Sequence, residues 1–242
     1  MDRRYRKRRR EIEKFFTDAN RLKDETETIV SPSGNYELTI ERYRTREGAW
    51  DYSRGTMRRV FDRSVVADVK RNYSHFWHAW HVHHNSQEYI LCGEDYQGYT
   101  VVNLTKGQPH IHFPEAGYRG VGFCWIAAYP SPDSAILAVA GCYWACPYEI
   151  VFFDFSTPDT VPYRELTRIA SLDGEEGWID NETFVLRIEE EVRKTDRRPY
   201  GALSEEEQSE LDNDPYLVDY VVKTVECKPR ELTKQGIDRA PP

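Results

Sequence analysis

The stretch that decides the fold is Ser131 to Phe155, SPDSAILAVAGCYWACPYEIVFFDF. A turn of Ser131, Pro132 and Asp133 opens it. An apolar run from Ile136 to Ala140 follows, then a loop of large side chains from Gly141 to Pro147, then a second run from Ile150 to Phe155. Short apolar runs bounded by Gly, Pro and Asp predict adjacent antiparallel strands rather than helices. The same plan recurs on both sides. Turn signals at Ser31-Pro32-Ser33-Gly34, His84-Asn85-Ser86 and Asp180-Asn181 join the one at Ser131. Their spacing of about 50 residues is that of one four-stranded propeller blade.

After each turn a strand is expected: Tyr36 to Glu41, Glu88 to Cys92, Ala135 to Ala140 and Thr183 to Ile188. A loop follows each. Asp51-Tyr52-Ser53-Arg54-Gly55-Thr56 echoes Asp95-Tyr96-Gln97-Gly98-Tyr99-Thr100, and Tyr143 to Tyr148 holds that place in the third unit. Further strands are expected at Val65 to Val69, Pro109 to Phe113, Tyr163 to Ile169 and Tyr216 to Thr224. Others precede the turns, at Thr28 to Val30, Phe76 to His83, Gly122 to Tyr129 and Gly177 to Ile179. The fold class is therefore all-β: a small four-bladed, propeller-like array of four-stranded antiparallel sheets, closed into a ring and preceded by a basic N-terminal helix. A twisted sheet or sandwich of similar hairpins is the alternative.

Over about residues 27 to 230 these turns and strands resemble blades of the WD40 or TolB type, in which a Ser-Pro-Asp-Gly-like turn precedes the second strand. The Trp-Asp dipeptide of blade ends is missing, since Trp50-Asp51 lies in a loop, and those families usually have more blades. Cys92 to Gly98 (CGEDYQG) and Gly141 to Pro147 (GCYWACP) also resemble motifs of an uncharacterised family, which implies no activity.

Residues 1–26 are assigned to the leader, with helical spacing of Ile12, Phe15, Phe16, Ala19 and Leu22 over 11–23. Residues 27–230 form the β domain and 231–242 a loosely held tail. An acidic insertion at 189–215 includes Ser204 and Glu207 at capping-box spacing, which predicts a short helix.

The 242 residues are 39% hydrophobic and 31% charged, with 16 Tyr, 10 Phe and 6 Trp, a composition suited to sheets. No run approaches the length of a membrane span, and the charged N-terminus is unlike a signal peptide. Five cysteines without framework spacing read as free thiols in a reducing compartment, cytoplasmic or nuclear. The first ten residues carry seven of the 33 basic groups and one of the 41 acidic ones, which leaves the remainder at −14 against −8 for the whole. Such a leader suits nucleic acid, or an arm lying on the acidic body.

In an up-down blade the second-to-third loop and the link to the next blade share a rim, and loops on a rigid scaffold collect binding residues. The expected partner-binding or ligand-binding set is Trp50, Asp51, Tyr52, Arg71, Tyr73, Glu94, Asp95, Tyr96, Arg119, Tyr143 and Trp144. Asp51 and Asp95 serve equally well as turn caps. The leading expectation is a non-catalytic module presenting an aromatic and acidic rim to a protein or small ligand, with no cofactor. The alternative is a metal-dependent, hydrolase-like enzyme. All seven His lie between His75 and His112, and His81, His83, His110 and His112 form two His-x-His pairs suited to zinc or another divalent metal, with Glu94 or Asp95 as oxygen ligand. Cys142-x-x-x-Cys146 is a weaker pattern, read as buried or inert thiols.

Overall fold

The computed structural model describes residues 3–144 and 147–234. It contains helix α1 (Arg3–Glu13) and strands β1 (Arg21–Val30), β2 (Tyr36–Arg44), β3 (Asp51–Arg59) and β4 (Val65–Arg71). The second blade is β5 (Ala79–Val82), β6 (Glu88–Cys92), β7 (Tyr99–Asn103) and β8 (Gln108–His112). The third is β9 (Cys124–Pro130), β10 (Ile136–Cys142), β11 (Tyr148–Asp154) and β12 (Glu165–Ile169). The fourth is β13 (Leu172–Trp178), β14 (Phe184–Arg193) and β15 (Val218–Cys227), with helices α2 (Glu205–Asn213) and α3 (Pro229–Lys234) beside it. Each blade is an antiparallel meander of strands in chain order. Three have four strands, and the fourth has three among the described residues.

Strand β10 is buried along its whole length because both of its faces are covered. Leu137 and Val139 pack toward the second blade with Leu91, Val101 and Trp125. Ile136 and Ala138 pack toward the fourth with Phe152, Phe184 and Leu186. Strand β6 is similar: Ile90 joins the core shared with the first blade, and Leu91 the core shared with the third. By contrast, β2 alternates, with Leu38 fully buried and Thr39 on the other face. Two-sided burial produces continuous apolar runs and one-sided burial produces alternation.

The all-β, four-bladed propeller-like array thus holds, but the ring is open. Three core clusters join consecutive sheets, and among the described residues none joins the fourth sheet to the first. The outer face of the first sheet explains this. Thr28, Thr39, Thr56 and Asp68 lie in register across it, and Arg54 there bonds Asp68 at 2.8 Å. That face has no apolar stripe to bury.

The turns that set the repeat are built alike. Ser31 N donates to Tyr36 O and Ser131 N to Ile136 O, each at 2.8 Å. Gly34, Ser86 and Ser134 take positive φ of 76°, 63° and 62° at matching positions.

Other expectations need correction. The leader helix covers Arg3–Glu13 rather than 11–23. Phe15 and Phe16 leave it to pack on Tyr52 and Tyr43, and Leu22 pairs with Arg42 in β1. Sheet pairing there overrides a helical pattern of apolar residues. The first blade accordingly begins at Arg21. In the insertion, β14 continues through Arg193, while α2 has the full capping box between Ser204 and Glu207. Of the tail at 231–242, residues 231–234 end α3, with Leu232 packed against the core between the third and fourth blades, and residues 235–242 lie outside the described residues.

Candidate functional site: an aromatic rim above a buried arginine

The rim loops of three blades converge. Trp50 precedes β3, Tyr73 lies in the link from β4 to β5, Tyr96 in the β6–β7 loop and Trp144 in the β10–β11 loop. Tyr73 is central, with its ring 4.9 Å from Trp50, 5.3 Å from Tyr96 and 5.8 Å from Trp144. Tyr96 and Trp144 are 5.5 Å apart. Trp50 stays 66% and Trp144 53% exposed. Trp144 also has a φ of 62°, a left-handed conformation that bulky residues avoid.

Backbone and side-chain bonds fix these loops. Ser74 N donates to Asp51 O at 2.9 Å, and Ser53 Oγ to Ser74 O at 3.0 Å. Asn72 ties two blades together: its Nδ2 donates to Asp95 Oδ2 at 2.8 Å, and its Oδ1 accepts from Tyr96 N at 3.1 Å.

Beneath the rings lies a cavity of about 430 Å³, whose walls include Tyr73, Tyr96, Trp77, Trp125 and Trp144. Arg71 lines it, only 5% exposed. Its Nη1 donates to Gly93 O at 2.9 Å, and its Nε has no partner. Burial lowers its pKa to about 10, which leaves it protonated at neutral pH. No carboxylate lines the cavity. The cavity runs into a shallower groove over Trp50, Arg42 and Arg44 through the shared residues Tyr73, Ser74 and His75.

The acidic half of the expected site is already occupied by the chain's own cations. Asp51 is held by Arg44 through bonds of 2.6 and 3.0 Å. Asp95, 1% exposed, accepts from Arg8 Nε at 2.8 Å. Glu94 accepts from Tyr5 Oη at 2.6 Å, with Arg9 Nε at 3.7 Å. Arg9 also donates to the carbonyls of Glu94 and Lys70. Burial raises the pKa of Glu94 and pushes the Tyr5 hydroxyl far above its usual range. Arg8 and Arg9 therefore clamp the leader onto the body, while Arg3, Arg6, Lys7 and Arg10 stay exposed.

Tyr52 is covered by Phe15, 4.7 Å away, and does not join the ring cluster. Tyr143 turns toward Phe123 and accepts from Arg168 Nη1 at 2.6 Å. Arg119 is exposed at the end of a short helical turn, outside the cavity.

The histidine pairs do not converge. His81 lies on β5 and His83 just beyond it, whereas His110 and His112 lie on β8, at the opposite edge of the same sheet. With β6 and β7 between them, the pairs stand about 14 Å apart. His81 Nε2 meets Ser134 Oγ at 2.9 Å, His83 Nε2 meets Phe155 O at 3.3 Å, and His110 lies 3.5 Å from Asp159. His112 lies against the Tyr99 ring. No group of three or more His, Cys, Asp or Glu is placed to hold a metal among the described residues. Cys142 is a buried free thiol, and Cys146 lies outside the described residues.

No family model matches the chain. It is similar to "Uncharacterized protein R762" of Acanthamoeba polyphaga mimivirus, 29% identical over 213 residues that cover 84% of this chain and 82% of that protein. Among solved structures it is similar to the Cps50 (Swd1) β-propeller domain of Myceliophteria thermophila, with a TM-score of 0.39 and 12% identity over 66% of this chain. It is also similar to a puromycin-hydrolyzing peptidase of Mycobacterium tuberculosis, with a TM-score of 0.38 and 17% identity over 66% of this chain. The chain spans 47% of the first of these structures and 24% of the second. No helix among the described residues is long and apolar enough to cross a membrane.

Proposed function

We propose that the protein is a non-catalytic binding module that presents the rim formed by Trp50, Tyr73, Tyr96 and Trp144 to a partner protein or small ligand. The observation that carries this reading is the meeting of four rings from three blades over one cavity. Large exposed aromatics give contact area at small entropic cost, and a cavity of this size suits a ligand or an anchoring side chain. Burial pushes the Cys124 thiol in the cavity wall up to about 11, the reverse of an activated nucleophile. Saturation-transfer NMR with benzyl alcohol, a neutral aromatic probe, tests the site. Signal transfer is expected in the parent and lost in Tyr96→Ala and Trp144→Ala, with circular dichroism unchanged. Transfer that survives both substitutions refutes the assignment.

A second reading rests on the free face of α1. Arg3, Arg6, Lys7 and Arg10 stand at i, i+3, i+4 and i+7 and are exposed. This stripe suits an electrostatic contact with nucleic acid. Changing all four to Gln leaves the clamp residues in place and is expected to abolish salt-dependent binding of a DNA duplex. Binding unaffected by the change removes the reading.

A further inference from the structure

From the donors and charges lining the rim cavity, we propose that its ligand carries an oxyanion, a carboxylate or phosphate, on a flat apolar body, with the anion seated on Arg71 and the body against the aromatic walls. The inference rests on the binding-module reading and names the chemistry of that same site.

A guanidinium offers five N–H donors. In Arg71, 5% exposed, Nη1 bonds one carbonyl and Nε bonds nothing. Trp77, 9% exposed and also in the cavity wall, has an unpartnered indole N–H. Buried donors of this kind are costly unless an acceptor arrives. No Asp or Glu lines the cavity to supply a charged one. The neighbouring carboxylate, Asp95, is already taken by Arg8 and Asn72.

The opposite ligand charge is disfavoured twice. A cation would meet the Arg71 charge, and the rings offer it no cage. With centroids 4.9 to 5.8 Å apart they pack on one another instead of enclosing a space. An anion gains a charge-assisted, planar fork of donors from a guanidinium that is itself largely buried.

Titration calorimetry of the full chain with four probes tests the proposal: phenylacetate, phenyl phosphate, benzyl alcohol and benzylamine. At least one anion is expected to bind about tenfold to a hundredfold more tightly than benzyl alcohol, and benzylamine more weakly than either. The phenylacetate and phenyl phosphate arms tell carboxylate from phosphate. Arg71→Met is expected to bring the preferred anion down to the affinity of benzyl alcohol, and Arg71→Lys, which keeps the charge without the fork, to an intermediate value. Equal binding of benzyl alcohol and both anions by the parent refutes the proposal, as does an anion preference that survives Arg71→Met. If that variant fails to fold, the ranking by the parent decides alone. Absence of binding by all four probes overturns this proposal and removes the small-ligand half of the binding-module reading, leaving the partner-protein half.

Discussion

Replacing Asp95 by Asn removes one charge and no volume, and the structure assigns that change a large effect. Asp95 is 1% exposed. Its Oδ2 accepts from Arg8 Nε and Asn72 Nδ2, both at 2.8 Å, and its Oδ1 accepts from Gln97 N at 3.1 Å. An amide can keep the Gln97 bond, but its NH2 group then faces two donors. Two part-buried bonds to a buried charged acceptor are lost and the Asn72 amide is stranded, a loss of about 3–5 kcal/mol. For a chain of this size each kcal/mol lowers the midpoint by about 2–4 °C, so a fall of roughly 10 °C is expected. Urea unfolding followed by tryptophan fluorescence gives the free energy, and thermal circular dichroism gives the midpoint. Because Asn72 also accepts from Tyr96 N, the Tyr96 ring resonances should shift as well. The control is Lys14→Ala, whose ion pair with Glu11 is 65% and 63% exposed on its two sides, and which should lose no more than about 0.5 kcal/mol. A loss below about 1 kcal/mol in Asp95→Asn would show that Asp95 does not hold the leader and the rim loops together.

Acid should weaken the protein through His81, whose pKa burial, reinforced by His83 and His84, lowers from 6.5 to about 4. Protonation favours the unfolded chain, so stability is complete above about pH 6.5 and falls as pH drops toward 4. Discounted for the water that still reaches this half-buried ring, the loss is about 2 kcal/mol, and His81→Gln should flatten the pH profile of urea unfolding by that amount. Gly141→Ala should destabilise by about 1–3 kcal/mol in the same assay, because its new methyl would collide with the Cys124 carbonyl oxygen and lie 2.8 Å from the Phe123 ring. Phe152→Ala empties a fully buried place between the third and fourth blades, against Phe184 and Trp178. It should lose about 3–5 kcal/mol, and calorimetry should show the fourth blade melting separately.

Much of this architecture was legible in the residues. The Ser31 and Ser131 turns announce the blade repeat because the same backbone bonds recur in both. The open ring was legible too, in a signal easily passed over. Ile136 to Ala140 is apolar throughout, whereas Leu38, Thr39, Ile40 and Glu41 alternate. That contrast separates a blade covered on both sides from one covered on a single side. Tyr73, Tyr96 and Trp144 followed from the rim geometry alone. What local pattern could not supply was the pairing of distant charges. Nothing near Glu94 and Asp95 announces that Arg8 and Arg9, more than 80 positions earlier, would neutralise them. Tyr52 was likewise hidden by Phe15 through a turn that helical periodicity did not foresee. The inward direction of Arg71, and the part Trp77 and Trp125 play as walls, depend on how neighbouring blades stack.

An open stack of sheets has no built-in reason to stop at four. The first sheet is capped in the manner of a solenoid, whose terminal repeats turn a wettable side outward. Thr39 and Asp68 face outward there, whereas at the other end the exposed Tyr220 and Val222 stand beside Glu191 and Glu189. The two ends of the stack thus offer a neighbouring copy different surfaces, one polar and one partly apolar.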